Sequence, residues 1–263
     1  MKSMKKKNFN LIFGLVLTAL VLVPAFIGLF WTPFDTETMN SALKMSGPTG
    51  LHIMGCDNFG RDMFSRLMKG CSLTLVIGVG TVAVGCTIGT ILGTLTGYYG
   101  GIVDEILMRV NDVMFSFPSI LLALVFVALM GSGTYQVVIA LGIAFIPSYA
   151  RVVRAEFIRN KNMDYVKSAR LSGASDLRIM FVHILPNTFK VLKSSVMIGF
   201  NNAVLAEAGL SFLGIGVQPP RASLGSMLSD AQTFLFSKPS MAVIPGLTLI
   251  IMILGISMLS KEV

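Results

Sequence analysis

Residues 165–186, YVKSARLSGASDLRIMFVHILP, form a polar, basic stretch in a chain that is otherwise close to continuously apolar. Of 263 residues, 54% are hydrophobic and 13% charged, and the mean hydropathy is +0.77. A soluble domain carries about 25% charge, so composition places the chain in a membrane. A bilayer protein keeps so polar a segment in water, and a soluble partner docking on it is the simplest reason for its length. The net charge of +8 invites a nucleic-acid reading. The lysines and arginines lie between apolar runs instead, which is the pattern of membrane orientation, and no nucleic acid is expected as a partner.

A helix needs about 20 apolar residues to cross about 30 Å of hydrocarbon. Six runs meet or approach this: 10–31, 73–98, 113–130, 135–149, 191–213 and 241–259. The fourth is short and is expected to extend to about Val153. The first follows Lys2, Lys5, Lys6 and Lys7 like a signal peptide, but it is too long for one and shows no small-residue cleavage site. It is read as an uncleaved first helix. The expectation is an all-α, polytopic membrane protein with six transmembrane helices. Residues 1–31 are the N-terminus and first helix, 32–70 an extracytoplasmic segment, and 71–263 a five-helix core with a cytoplasmic loop at about 151–190. Of the 21 Lys and Arg, only Lys44, Arg61, Arg66, Lys69, Arg221 and Lys238 fall outside in this scheme. Both termini and the 151–190 loop are therefore expected in the cytoplasm.

Gly85, Gly89, Gly93 and Gly97 recur every four residues in the second run. They share a helix face on which another backbone can approach closely, either within the bundle or at a subunit interface. The 17 methionines are scattered and read as adaptable packing. Cys56, Cys71 and Cys86 form no Cys-x-x-Cys motif. They are read as ordinary small residues, with a Cys56–Cys71 disulfide as the alternative. His52 and His183 are too sparse for a metal site, so no metal ligands are expected.

The chain has no G-x-x-x-x-G-K-[ST], H-E-x-x-H or G-x-S-x-G pattern, hence no recognisable ATP-hydrolysing, zinc-protease or esterase site. No catalytic residues are expected, and energy must come from another subunit or an ion gradient. One ionisable residue lies within a span: Glu207, with Asn201 and Asn202 shortly before it. A carboxylate there is a functional candidate by default, for a pathway, for gating or for packing. Outside, HIMGCDNFGRDMFSRLMKG (residues 52–70) places Asp57, Arg61, Asp62 and Arg66 for a local ion-pair cluster around a Gly60 turn. That cluster either orders the loop or touches solute. Pro219-Pro220 marks an extended turn, followed by a short interfacial helix at 223–232.

These segments together resemble the C-type permease subunit of the peptide/nickel family of binding-protein-dependent ABC importers, which serves dipeptides, oligopeptides and nickel. The resemblance rests on residues 52–66, the stretch Gly97–Leu124, the QPP segment and the opening stretch. There Ser168-Ala169, Gly173 and Leu185-Pro186 match the family's EAA loop. It implies an ABC importer type I permease-like fold in a bacterial inner membrane and a pathway for peptides or nickel and other chelates. It also implies a second, similar permease in a heterodimer, two ATP-binding cassette subunits and an extracytoplasmic solute-binding protein. ATP and Mg would reside on the ATPase subunits, with no cofactor here. The loop would form two short helices in an ATPase groove, hinged at Gly173, with Arg170, Asp176 and Arg178 making polar contacts. Three departures stand out. Lys167 replaces the usual glutamate and Ser168 the first alanine. Cys56 replaces a threonine. The chain stops at Lys261-Glu262-Val263, where the family continues in a short tail. Rival readings are a proton-coupled secondary transporter using Glu207 and a non-transporting membrane scaffold.

Overall fold

The computed structural model describes residues 2–260; the departure from the family pattern noted at Lys261-Glu262-Val263 lies outside them. The long helices are α1 (Lys2–Phe30), α2 (Met63–Tyr99), α3 (Gly101–Phe115), α4 (Ser119–Met130), α5 (Thr134–Asn160), α8 (Leu185–Phe212) and α10 (Ser240–Ser260). Short ones are α6 (Asp164–Leu171), α7 (Asp176–Arg178) and α9 (Leu224–Ala231), with a π-helical turn at Ile179–Ile184. Among the described residues there is no strand, only an isolated bridge between Cys56 and Asp62.

The six expected runs are realised unequally. α1, α2, α5 and α10 are long and apolar enough to cross a membrane. α5 runs beyond the expected Val153. α2 begins at Met63, before the apolar run, because Asp62 caps it: its carboxylate accepts the Ser65 N–H at 2.7 Å. The 113–130 run is not one helix. It breaks at Ser116–Pro118, and α3 and α4 meet at 91°. Pro118 disfavours helical backbone at Phe117, and its own carbonyl starts α4 by accepting from Leu121 and Leu122. α8 covers the 191–213 run over 28 residues, long enough at 1.5 Å per residue. Lys190, Lys193, Asn201, Asn202 and Glu207 make it less apolar than α1, α2 and α10.

The chain forms two compact units. One holds Met1–Val79, Val127–Val137 and Asn201–Val263, the other Gly80–Phe126 and Val138–Phe200. In the first, α1 runs antiparallel to α10: Gly14 lies against Met258, and Gly255 against Thr18. The start of α1 and the end of α10 therefore share one side. α1 is also antiparallel to the first turns of α2, where the Ser72 hydroxyl donates to the Ala25 carbonyl.

In the second unit the glycine stripe finds its partner. A Cβ on Gly85, Gly89, Gly93 or Gly97 would meet the carbonyls of Gly142, Ile146, Ala150 and Arg154 at 2.6–2.9 Å. The register advances by four on both helices, so α2 and α5 run parallel in direct backbone contact. Of the two readings open from sequence, the stripe serves packing within the chain. Parallel spans must be joined by a segment that crosses back, so α3 and α4 together account for one crossing.

Candidate functional site: a helical turn at Gly173 and two buried polar clusters

The first feature is the segment 161–186. Asp164, acidic in the first turn, suits the α6 dipole. α6 ends in a Schellman motif: Ala174 N–H donates to Ala169 O at 3.1 Å and Gly173 N–H to Arg170 O at 3.0 Å. That closure requires the left-handed φ of +77° at Gly173, which glycine adopts without a Cβ penalty. Ser175 then caps α7, its Oγ accepting the Arg178 N–H at 3.4 Å. Val166, Ile179, Met180 and Ile184 are buried and anchor the segment, while Leu171 is 90% and Leu177 63% exposed.

Leu185-Pro186 has a local job. Proline within a helix cannot donate backward and crowds the preceding turn. The chain widens into the π-helical turn Ile179–Ile184 directly before it, the usual accommodation of such crowding. Asn187 Nδ2 donates to the His183 carbonyl at 2.7 Å within that turn.

The charged residues of the segment separate. Lys167 pairs with Asp164 at 3.0 Å in solvent, and Arg178 is exposed. Ser168 offers its carbonyl to the Ser172 hydroxyl. Arg170 and Asp176 converge on a residue that sequence reasoning missed, Tyr98. Its hydroxyl donates to Asp176 Oδ1 at 2.5 Å and accepts from Arg170 Nη2 at 3.2 Å. Tyr98 sits in the Gly97–Leu124 stretch, but nothing local in sequence links it to residues more than 70 positions on.

The second feature is the outer loop. Asp57 Oδ1 accepts the N–H groups of Phe59 at 2.8 Å and Arg61 at 2.9 Å. Its Oδ2 pairs with Arg61 Nε at 2.7 Å and Arg66 Nε at 3.4 Å. Asp62 also holds His52 Nδ1 at 2.9 Å. Gly60 has φ +77° and lies against the Asn40 backbone. Asp57, Arg61, Asp62 and Arg66 are each only 2–3% exposed, and their charges are met by one another within the chain. The cluster reaches a carboxylate absent from the sequence reading: Asp230 of α9 receives Arg66 Nη2 at 3.4 Å, with Arg61 Nη2 at 3.8 Å. Burial pushes the Asp230 carboxyl above the usual carboxylate range, against the downward pull of Arg66 and Arg61. Lys238 Nζ donates to the carbonyls of Ser46 at 2.5 Å and Cys56 at 2.7 Å; burial lowers its pKa below the ordinary lysine value. Cys56 and Cys71 are separate buried thiols, so the disulfide alternative falls. Among the described residues no group of His, Cys, Asp or Glu is arranged to hold a metal.

The third feature is Glu207, fully buried by its own chain. Its Oε2 accepts from Thr74 Oγ1 at 3.0 Å and its Oε1 from Ser211 Oγ at 2.8 Å. Each hydroxyl in turn accepts a backbone N–H: Leu224 to Thr74 at 3.2 Å and Val217 to Ser211 at 3.0 Å. The carboxylate thus fixes the chain between α8 and α9 against α2. Asn201 and Asn202, grouped with it by proximity, are not its partners. Asn202 is exposed, and the Asn201 Oδ1 is buried without a hydrogen bond.

The described residues form a helical membrane chain with an exposed helical turn at Gly173. Residues 89–261 match the family described as binding-protein-dependent transport system inner membrane component, and the chain belongs to that family. It is 40% identical over 247 residues to the glutathione transport system permease protein GsiD of Pectobacterium atrosepticum, covering 94% of this chain and 82% of that protein. It is 35% identical over 258 residues to the dipeptide transport system permease protein DppC of Alkalihalophilus pseudofirmus, covering 98% and 84%. The DppC of Haemophilus influenzae is 36% identical over 260 residues. In fold it resembles the inward-facing MetNI methionine ABC transporter, with TM-score 0.63 at 17% identity over 76% of this chain and 94% of that one. An amino acid ABC transporter solved with histidines gives 0.56 at 19% identity over 72% and 88%. The chain is a permease subunit of a binding-protein-dependent ABC importer, not an enzyme.

Proposed function

We propose that this chain is one of two non-identical permease subunits of a bacterial importer of short peptides, of the dipeptide or glutathione type. The similarity to permeases named for those solutes favours peptides over nickel chelates. The single observation that carries the mechanism is the exposed turn at Gly173. It presents two short helices with apolar Leu171 and Leu177 uncovered beside the cations Lys167 and Arg178. Such a surface suits a groove on a soluble ATPase subunit. ATP and its Mg belong to two such subunits, and a binding protein delivers solute from outside. ATP-driven closure of the ATPase pair moves α6 and α7, and the helical bundles rock to open the pathway. Glu207 and the buried loop charges maintain the subunit's own packing.

The Gly173→Val variant tests the turn. A β-branched residue at this φ costs about 1–3 kcal/mol of strain, and a Cβ there meets no atom within 4 Å, so the effect is confined to the backbone. The variant is expected to reach the membrane at normal level, lose most ATPase co-purification and take up glutathione or dipeptide at under about a tenth of the native rate. Gly173→Asn, which tolerates left-handed backbone better, should retain more. Normal uptake by Gly173→Val at matched levels contradicts the docking role.

Orientation has its own test. The Lys and Arg distribution and the shared side of the α1 start and α10 end support both termini in the cytoplasm. With native cysteines removed, Leu51→Cys, at a site 75% exposed, should react with an impermeant thiol reagent on intact cells. Asn162→Cys should react only after lysis. Labelling of position 162 from outside rejects this topology.

A further inference from the structure

We propose that Tyr98 is the positioning residue through which displacement of the docking segment enters the membrane-spanning helices; this rests on the reading of that segment as the ATPase contact. Tyr98 is the second-last residue of α2 and only 8% exposed. Its hydroxyl is the common partner of two charges on opposite sides of the turn. Arg170 stands in the last turn of α6 and Asp176 in the first turn of α7, three positions before and after Gly173. Each bond is charge-assisted, the stronger kind of hydrogen bond. One phenol therefore tethers both short helices to the end of α2.

What lies behind Tyr98 gives the tether its leverage. Gly97, its neighbour, is packed on Phe157 and on the Arg154 backbone of α5, with no side chain between to absorb a shift. Arg154 in turn clasps Asp104 of α3 with two bonds of 2.6 Å. A push on α6 or α7 thus reaches α2 and, through the close approach at Gly97, α5, with α3 joined by the Arg154–Asp104 ion pair. Val166 and Ile179 anchor the segment by apolar packing, and the Tyr165 hydroxyl ties α6 alone to Asn160 Oδ1 of α5 at 3.0 Å. The restraint that holds both sides of the turn at once is the Tyr98 hydroxyl.

The test uses the whole importer, with second permease, ATPase subunits and binding protein, in proteoliposomes supplied with labelled glutathione or dipeptide. Tyr98→Phe deletes one oxygen and keeps the buried ring. The expected result is a complex that assembles at native yield and hydrolyses ATP, while solute taken up per ATP falls about tenfold. Asp176→Asn, altered at an exposed site, should lose less because an amide oxygen still accepts. The double variant Tyr98→Phe/Asp176→Asn should fall no further than Tyr98→Phe alone, since both act on one bond. An unchanged uptake-to-ATP ratio in Tyr98→Phe overturns the proposal. So does loss of ATPase binding in that variant, which would make Tyr98 a support of the docking surface only, and so do additive losses in the double variant. Leu171→Cys separates this from the underlying reading. If it fails to cross-link to an ATPase subunit, the docking reading and the role of Tyr98 both fall. If it cross-links while Tyr98→Phe couples normally, only the role of Tyr98 falls.

Discussion

Gly93→Ala is expected to destabilise the chain by about 3 kcal/mol or more, and Gly93→Leu to remove it from the membrane fraction altogether. A Cβ at Gly93 would stand 2.6 Å from Ala150 O, 2.8 Å from Val153 Cβ and 2.9 Å from Arg154 N. None of these is the free end of a side chain. The atoms belong to two turns of α5, so relief requires α2 and α5 to separate, and the contacts at Gly89 and Gly97 open with it. In a bilayer such helix pairs are held by close packing because lipid supplies no hydrophobic drive between them. The position is therefore more sensitive than a glycine beside a movable group. Gly80→Ala meets Val138 Cγ1 at 2.9 Å, one side-chain methyl with no backbone atom beside it, and should cost less than Gly93→Ala, about 1–2 kcal/mol. Gly50→Ala meets nothing within 4 Å and should be neutral. Thermal unfolding of detergent-solubilised protein, followed by size-exclusion profile, ranks the three. A Gly93→Ala protein as stable as Gly50→Ala contradicts the direct α2–α5 contact.

The same helices show what the amino-acid order discloses and what it hides. The four-residue glycine period exposes a close-packing face on α2, but the face on α5 opposite is made of carbonyls. Gly142, Ile146, Ala150 and Arg154 share no side-chain signature that marks it. The break at Ser116–Pro118 hides because apolar residues continue on both sides, so hydropathy reads through a 91° bend. The early start of α2 at Met63 hides because its first turns are polar. Local rules locate the positive-φ turn at Gly173, since helix closure of this kind depends on neighbours in sequence. The Asp57–Arg61 part of the outer cluster is legible for the same reason. Asp230 is not, because 164 positions separate it from Arg66. One of the two hydroxyls that hold Glu207 comes from Thr74, 133 positions away. An unremarkable threonine in an apolar run carries no sign of such a duty.

That arrangement makes Glu207 the second position of large expected effect, and the substituent decides the outcome. Glu207→Leu removes both acceptors. The Thr74 and Ser211 hydroxyls then point protons into a dry interior, at about 1–3 kcal/mol each. They also lose the orientation that lets them accept the N–H groups of Leu224 and Val217, so the start of α9 comes loose from α2. This variant should fail to assemble with the ATPase subunits and show no uptake. Glu207→Gln keeps one carbonyl oxygen for a hydroxyl proton. Its NH2 can donate to the other hydroxyl oxygen, which has a second lone pair beside the one taken by backbone. Only one hydroxyl proton is left to find a new acceptor, so Gln should assemble and retain roughly a third or more of native uptake. If Glu207 instead carried a proton across the membrane, Gln would fail as completely as Leu, since an amide does not titrate. Uptake of labelled peptide by both variants, at equal membrane levels and with ATPase pull-down as the assembly check, separates the two cases. Complete loss in a fully assembled Gln variant would reject the packing role and make the ionisable carboxyl itself the requirement for transport by the importer.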